Sequence, residues 1–292
     1  MRLADMLLHD KTRQAVQTVL SKRAHAVVLA GPAGAGKQTL ATAMAAELLG
    51  LTPDRLALAP YFLLLQPEGT AISIEQVRRA QQFLRLKTTG QAAVRRVLAL
   101  QGADSMTAEA QNALLKTLEE PPADTVLLLT ADDIEKLLPT IRSRSTILRL
   151  HAPSVADART YYADQKISTA AFDRLHAMSG GQVGLLHTLI TQQDTGSGLP
   201  AAIEQAKQLL AQTVFERLTQ VDALAKDKAG LAHLLTALKR ICDGALQAAA
   251  RKNNTDAVRA WHQRLAAVAE AEVQFAKNTS PKLLLTHLFL HL

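Results

Sequence analysis

A glycine-rich loop near the start of the sequence carries the residues best suited to chemistry. Residues 31–37 read GPAGAGK and match the first seven positions of the phosphate-loop pattern G-x-x-x-x-G-K-[ST]. Gly31, Gly34 and Gly36 allow successive backbone N–H groups to turn towards an anion, and the helix that follows adds its positive end. The ammonium group of Lys37 would reach the β- and γ-phosphates of a nucleotide. This loop therefore predicts a phosphate-binding site.

The eighth position of the pattern departs from a functional metal site. It should carry a hydroxyl group that binds Mg²⁺, but Gln38 occupies it and Thr39 comes one place late. A shift of one residue on a helix rotates the side chain by about 100°, so Thr39 is a poor substitute. Gln38 and Thr39 therefore complete a degenerate phosphate loop, and we expect no bound metal ion.

Strand and helix patterns alternate around this loop. Apolar runs typical of buried strands occupy residues 25–30, 94–100 and 125–131, and residues 141–150 pass from a helix end into a further strand. Helical spacing occupies residues 5–22, 73–86 and 107–120. Ser73 and Thr107 are suited to cap two of these helices, whereas residues 51–72 have an irregular pattern. The alternation predicts an α/β fold, with a parallel sheet covered by helices on both faces.

From Val155 onward the sequence shows helical patterns and almost no strand signal. The segment QDTGSGLP at 193–200 is typical of a linker, and consecutive amphipathic helices follow it. We therefore predict three domains: an α/β domain at 1–151, a small helical domain at 152–195 and an all-α domain at 198–292.

The last predicted helix is too apolar to face water on every side. A core stripe is predicted from Leu283, Leu284, Leu288 and Leu292. This stripe would leave Leu285 and Phe289 for a partner. The equal alternative is that these two side chains also belong to the core.

Composition and charge exclude several classes of protein. The net charge of +7 permits contact with nucleic acid without requiring it. The single cysteine, Cys242, excludes a disulfide within the chain and a four-cysteine zinc site. The sequence contains neither a signal pattern nor an apolar run long enough to span a bilayer. We therefore expect a cytoplasmic protein that makes no use of a membrane.

Three longer segments resemble the subunits of bacterial sliding-clamp loaders of DNA polymerase III. They are AEAQNALLKTLEEPP at 108–122, LLPTIRSRS at 137–145 and NTSPKLLLTHLFLHL at 278–292. The resemblance is strong over residues 1–150 and returns in the last segment. It implies the AAA+ fold, with an α/β ATPase domain, a helical lid and a helical collar. It also implies partners: the motor and delta subunits of the loader, the sliding clamp and the backbone of primer–template DNA.

Compared with this family, the catalytic positions of the ATPase site are altered. Family ATPases end the strand at 94–100 in Asp-Glu, which holds Mg²⁺ and acts on the attacking water, but the matching residues here are Gln101 and Gly102. Asp104 lies beyond the strand end, where it would either start a helix or reach inward. The arginine that family ATPases often place near Leu185 is absent. The resemblance therefore implies a non-catalytic subunit, a stator with negligible ATPase activity of its own.

The resemblance leaves the nucleotide and part of the function open. No cofactor is required, but the retained Lys37 is compatible with ATP or ADP bound without hydrolysis. A diverged motor subunit that hydrolyses ATP is an alternative, favoured by the intact Gly36-Lys37 pair, and an unrelated P-loop NTPase is a more remote one. We expect no zinc, because residues 50–70 lack the four cysteines that many family members carry.

Arg144 matches the arginine finger of the family. In the Ser-Arg-Cys motif of clamp loaders this arginine inserts into ATP held by the adjacent motor subunit, and here Ser145 replaces the cysteine. A surface arginine at a helix end is the alternative, and Arg142 is expected to be solvated. Candidates for contact with the DNA backbone, on faces equally compatible with solvent alone, are Arg78, Arg79 and Lys116.

Overall fold

The computed structural model describes residues 1–22, 24–69, 71–165, 167–191, 199–251, 253–277 and 279–292. The chain forms two compact units. The first contains Met1–Asp164 and Gln182–Gly184, and the second contains Gln165–Gly181 and Leu185–Leu292. Most of the predicted linker at 193–200 lies outside the described residues, so the boundary between the predicted helical domains stays a prediction.

A five-stranded parallel sheet forms the centre of the first unit. Its strands are β1 (Ala26–Ala30), β2 (Phe62–Leu65), β3 (Arg96–Leu100), β4 (Thr125–Ala131) and β5 (Thr146–Arg149). They lie in the order β2-β3-β4-β1-β5, and all neighbours run parallel. Every residue of β1, β3 and β4 is buried, as expected for strands covered on both faces. The predicted α/β fold is confirmed.

Helices cover this sheet on both faces. They are α1 (Asp10–Lys22), α2 (Lys37–Leu49), α3 (Pro53–Leu56), α4 (Ile74–Leu84), α5 (Ala108–Glu119), α6 (Pro139–Ser143) and α7 (Val155–Tyr161). Side chains of β1 alternate between two cores: Val28 packs with residues of α4 and α5, whereas Val27 packs with residues of α1 and α2. The predicted caps form, because Ser73 accepts from the N–H of Gln76 and Thr107 accepts from the N–H of Ala110.

A helix and a strand occupy residues 51–72, where the sequence pattern predicted irregular structure. The short helix α3 precedes β2, which pairs with β3 at one edge of the sheet. Because β2 is an edge strand, only one of its two sides has a neighbouring strand. The side chain of Leu64 within β2 is exposed. A four-residue strand of consecutive apolar side chains has no period that distinguishes it from a loop, so the prediction for this segment was wrong.

The second unit consists of helices and, among its described residues, contains no strand. Its helices are α8 (Thr169–Ser179), α9 (Val183–Thr191), α10 (Leu199–Ala211), α11 (Val214–Thr219), α12 (Val221–Leu224), α13 (Lys228–Arg251), α14 (Thr255–Ala276) and α15 (Pro281–His291). The first two residues of α9, Val183 and Gly184, belong to the first unit.

The terminal helix α15 buries more of its surface than the predicted stripe. Leu285 and Phe289 are both 0% exposed, and Leu283 is 69% exposed. The prediction that Leu283 lies in the core was therefore wrong, and of the two alternatives for Leu285 and Phe289 the structure shows the core. The helices α11, α12 and α14 all pack against α15, so two adjacent columns of its side chains point inward instead of one.

Cys242 lies in the core of the second unit with no exposed surface. Burial raises the pKa of its thiol to about 11, so the thiol is protonated and unreactive at neutral pH. Among the described residues, no helix has the length and apolar character needed to cross a bilayer.

Candidate functional site

The glycine loop lies at the carboxyl-terminal edge of the sheet, between β1 and α2. Gly34 and Gly36 have φ values of 82° and 86°, a left-handed backbone that side chains disfavour. The N–H of Gly31 donates to the carbonyl oxygen of Ala131 at 3.2 Å, which holds the loop beside the end of β4. The loop thus has the backbone conformation and the neighbouring helix start that a phosphate group requires.

The side chain of Lys37 folds back into the loop. It is 6% exposed, and its Nζ donates to the carbonyl oxygens of Gly31 at 2.7 Å and Pro32 at 2.8 Å. It also forms an ion pair of 2.6 Å with Oδ1 of Asp132, a residue that directly follows β4. All three donor directions of the ammonium group are therefore used within the protein. Sequence reasoning missed Asp132, although a carboxylate just after a buried strand beside the loop was a usable signal.

Gln101 and Gly102, which stand where family ATPases carry the acidic pair, donate hydrogen bonds from their backbone N–H groups. The N–H of Gln101 donates to Leu65 at 2.8 Å, and the N–H of Gly102 donates to Oγ1 of Thr130 at 3.0 Å. Gly102 has a φ of 68°, so the chain turns sharply where β3 ends. Neither residue supplies a carboxylate at this edge.

Asp104 reaches the end of the neighbouring strand. Its Oδ2 accepts hydrogen bonds from the backbone N–H groups of Asp132 at 3.2 Å and Asp133 at 3.1 Å. These bonds hold the turn that presents Asp132 to Lys37, so Asp104 orients the turn. Across the described part of the chain, no three His, Cys, Asp or Glu side chains are grouped to hold a metal ion. Gln38 and Thr39 lie in the first turn of α2 with exposed side chains.

The start of α9 lies directly against the glycine loop. A Cβ atom at Gly184 would lie 2.9 Å from the carbonyl oxygen of Gly34 and 3.0 Å from the amide nitrogen of Gly36. Only glycine fits at this distance, because real Cβ atoms do not approach backbone atoms so closely. The next residue, Leu185, is buried in the core of the second unit. The segment that carries an arginine in family ATPases therefore brings the backbone of Gly184 against the loop.

Arg144 lies at the opposite edge of the sheet from this loop. It lies two residues before β5, whose first residue, Thr146, pairs with Val27 near the start of β1. Because the strands are parallel and rise about 3.3 Å per residue, the four residues of β5 separate Arg144 from the loop edge by roughly 13 Å. Its guanidinium pairs with Oε1 of Glu119 at 2.8 Å and is 37% exposed.

The residues around Arg144 differ in how they are held. Arg142 pairs with Oε2 of Glu135 at 2.5 Å and is less exposed than Arg144, so it is not the freely solvated residue that the sequence predicted. The Oγ of Ser145 is buried and has no hydrogen-bond partner. An unpartnered hydroxyl marks a position better suited to a thiol, which tolerates burial without a strong hydrogen bond.

The candidate DNA-contact residues lie on two helices that pack against each other, α4 and α5. Arg78 and Lys116 are exposed. Arg79 forms an exposed ion pair of 2.8 Å with Glu68. Arg78 and Lys116 therefore remain as exposed cations on neighbouring helices of the first unit.

Together, the sheet order and the glycine loop between β1 and α2 define a P-loop domain of the AAA+ class. The model of the family described as DNA polymerase III, delta subunit, matches residues 9–154, which is half of the chain. The chain therefore belongs to this family, and the resemblance to clamp-loader subunits is confirmed.

Two sequence relatives agree with this assignment, and one solved structure shares the fold. Subunit delta' of DNA polymerase III from Pseudomonas aeruginosa is 34% identical over 66% of this chain and 64% of its own length. Subunit delta' from Haemophilus influenzae is 28% identical over 64% of this chain and 59% of its own length. A gamma subunit-related protein of DNA polymerase III from Thermotoga maritima shares the fold, with a TM-score of 0.58 at 18% identity over 96% of this chain and 98% of that one. The matches span about three fifths of the sequence relatives.

Proposed function

We propose that this chain is a delta-prime-like subunit of a bacterial sliding-clamp loader in DNA replication, and that it does not hydrolyse ATP itself. The observation that carries the proposal is the ion pair between Lys37 and Asp132, 2.6 Å long, within a loop of otherwise suitable backbone geometry. The lysine that should meet the phosphates is held by a carboxylate of the same chain. Membership of the clamp-loader family supports the rest of the proposal.

Hydrolysis of a triphosphate depends on groups that this site lacks. A metal ion neutralises the developing charge, and a carboxylate or amide positions the attacking water. Here Gln101 and Gly102 replace the acidic pair, Gln38 replaces the metal-binding hydroxyl, and Leu185 stands where an arginine is expected. Each such loss costs several powers of ten in rate, because preorganised charges supply much of the catalysis.

Nucleotide binding without hydrolysis depends on whether the loop fits a phosphate group and whether the side chains fit a magnesium ion. The loop backbone fits a phosphate group, but the side chains do not fit a magnesium ion. A bound nucleotide would supply the negative charge that Asp132 now provides to Lys37. We therefore infer that the chain requires no cofactor, and that ATP or ADP competes with Asp132 for the same ammonium group.

Arg144 is the residue through which the chain acts on a neighbour. It lies away from its own loop, is partly exposed and is held by Glu119 in a single ion pair of 2.8 Å. A guanidinium in this position is suited to enter the nucleotide site of an adjacent motor subunit of the gamma or tau type. Further partners in the proposal are the delta subunit, the sliding clamp and primer–template DNA, with Arg78 and Lys116 contacting DNA phosphates.

The purified chain is expected to show no ATP hydrolysis above background, with or without primed DNA. Mixed with purified motor, delta and clamp subunits, it should enter one complex in size-exclusion chromatography. The alternative, a diverged motor subunit, gives DNA-stimulated hydrolysis that Lys37→Ala abolishes. Such turnover by the isolated chain would contradict the proposal.

Asp132→Asn is expected to bind ADP roughly tenfold more tightly than the native chain. The substitution keeps the size of the side chain, removes the charge that competes with phosphate and corresponds to about 1.4 kcal/mol. Isothermal titration calorimetry measures the change. Asp133→Asn is the matched control, because Asp133 is also exposed but bonds to the N–H of Glu135 at 3.0 Å. Equal affinities of Asp132→Asn and the native chain would show that Asp132 does not compete with nucleotide.

A further inference from the structure

A recess of about 340 Å³ lies at the amino-terminal edge of the sheet. It is lined by residues 84–88 at the end of α4, by residues 95–96 at the start of β3 and by residues 122–124 before β4. The glycine loop follows the carboxyl end of β1, at the other edge of the same sheet. The recess is therefore separate from the phosphate loop.

Positive charge dominates the lining of this recess. Arg85, Lys87, Arg95 and Arg96 contribute four cations, and Asp124 contributes the single carboxylate. Burial, the largest effect on Asp124, raises its pKa, but hydrogen bonds from Thr88, Arg95 and Thr125 and the charge of Arg96 outweigh it, so the pKa is lowered. Asp124 is thus ionised at neutral pH, and four positive charges against one negative charge leave an excess of three.

Arg96 is a buried cation whose charge acts on Asp124 from beyond ion-pair distance. It is 2% exposed, and its Nη atoms donate to the carbonyl oxygens of Leu84 and Leu86. Its Nε has no hydrogen-bond partner. Among the described residues, no carboxylate lies within ion-pair distance of Arg96. Burial of a charge is costly unless an opposite charge compensates it, and here the guanidinium has only the more distant carboxylate of Asp124 and the ring of Phe83, 5.4 Å from its Cζ.

Asp124, the single carboxylate that lines the recess, is already engaged by hydrogen bonds. Oδ2 of Asp124 accepts from Nε of Arg95 at 3.1 Å and from the hydroxyl of Thr88. The side chains of Arg85 and Lys87 are exposed at the rim. Two exposed cations therefore line a recess whose floor contains a buried guanidinium that lacks a direct ion pair.

We propose that this recess binds a small anion that carries a diphosphate group. Guanidinium groups bind phosphate oxygens through paired N–H donors, and an excess of three positive charges matches a polyanion better than a single carboxylate. The volume exceeds that of one phosphate group. The cations converge on one recess and do not follow an extended groove, which favours a small molecule over a nucleic-acid strand.

Titration of inorganic pyrophosphate into the Lys37→Ala variant tests this site, because that background removes the lysine of the phosphate loop. We expect calorimetry at low salt to detect one site, weakened by added NaCl. Adding Arg85→Ala and Lys87→Ala should weaken binding by roughly tenfold or more. The matched control adds Lys11→Ala and Lys22→Ala, two exposed lysines of α1, and should bind pyrophosphate unchanged.

Several outcomes would overturn the proposal. They are the absence of pyrophosphate binding to Lys37→Ala, an equal loss of affinity in the control, and binding of citrate as tight as that of pyrophosphate. Displacement of pyrophosphate by a single-stranded oligonucleotide at lower concentration would assign the recess to nucleic acid instead. Because Arg85 and Lys87 are exposed, their variants should fold, and far-ultraviolet circular dichroism checks this.

Discussion

Arg144→Ala is expected to slow ATP hydrolysis at the neighbouring motor site of a reconstituted clamp loader by about 10³-fold. An arginine supplied by an adjacent subunit stabilises the negative charge that develops on the transferred phosphoryl group. Arg144 is partly exposed and forms one ion pair, with Glu119. Its guanidinium can therefore exchange this carboxylate for a phosphate group. Single-turnover hydrolysis by the assembled complex measures the effect, because the site beside this chain should lose its rapid phase while the others keep theirs.

Two variants separate catalysis from assembly in this experiment. Arg142→Ala removes a guanidinium from the short helix α6, which ends just before Arg144. Arg142 pairs with Glu135 of its own chain, so hydrolysis should be unchanged. Arg144→Lys keeps the charge but loses the planar fork, and we expect only partial activity. All three complexes should elute together in size-exclusion chromatography. A full rapid phase with Arg144→Ala would show that Arg144 is not an arginine finger.

Phe289→Ala is expected to lower the free energy of unfolding of the second unit by about 3–5 kcal/mol. The ring of Phe289 is 0% exposed and packs in the core formed by α15 and its neighbours, so its removal leaves a cavity. The single tryptophan of the chain, Trp261, packs against this core. Urea denaturation followed by tryptophan fluorescence therefore reports on the second unit.

The matched control for this substitution lies on the same helix. Leu283 is 69% exposed, so Leu283→Ala should change the free energy of unfolding by less than about 0.5 kcal/mol. If instead Leu283→Ala destabilised the unit and Phe289→Ala did not, α15 would present its other face to the core. That result would restore the stripe predicted from the sequence.

The elements that the sequence predicted well carry local signals. The glycine loop follows a run of apolar residues that is buried throughout in β1, and Ser73 and Thr107 cap helices through bonds to residues three positions away. Such signals depend on neighbours in the chain. The family resemblance then added the AAA+ fold and the expectation of an arginine finger at Arg144, which no local pattern contains.

The features that the sequence did not reveal depend on contacts between distant segments. Asp132 meets Lys37 only because β4 lies beside β1, and a pattern within β4 cannot show this. The inward columns of α15 depend on three helices that pack around it. No pattern within β3 indicates that Arg96 is buried. Its guanidinium donates to carbonyl oxygens at and just after the end of α4, a distant segment of the chain.

The left-handed turn at Gly102 limits which residues the end of β3 can accept. A glutamate at this position would have to adopt a φ of 68°, which costs side-chain-bearing residues about 1–2 kcal/mol. Gly102→Glu alone would therefore place a carboxylate on a strained backbone. An acidic pair at the end of β3 requires a rebuilt turn as well as two substitutions.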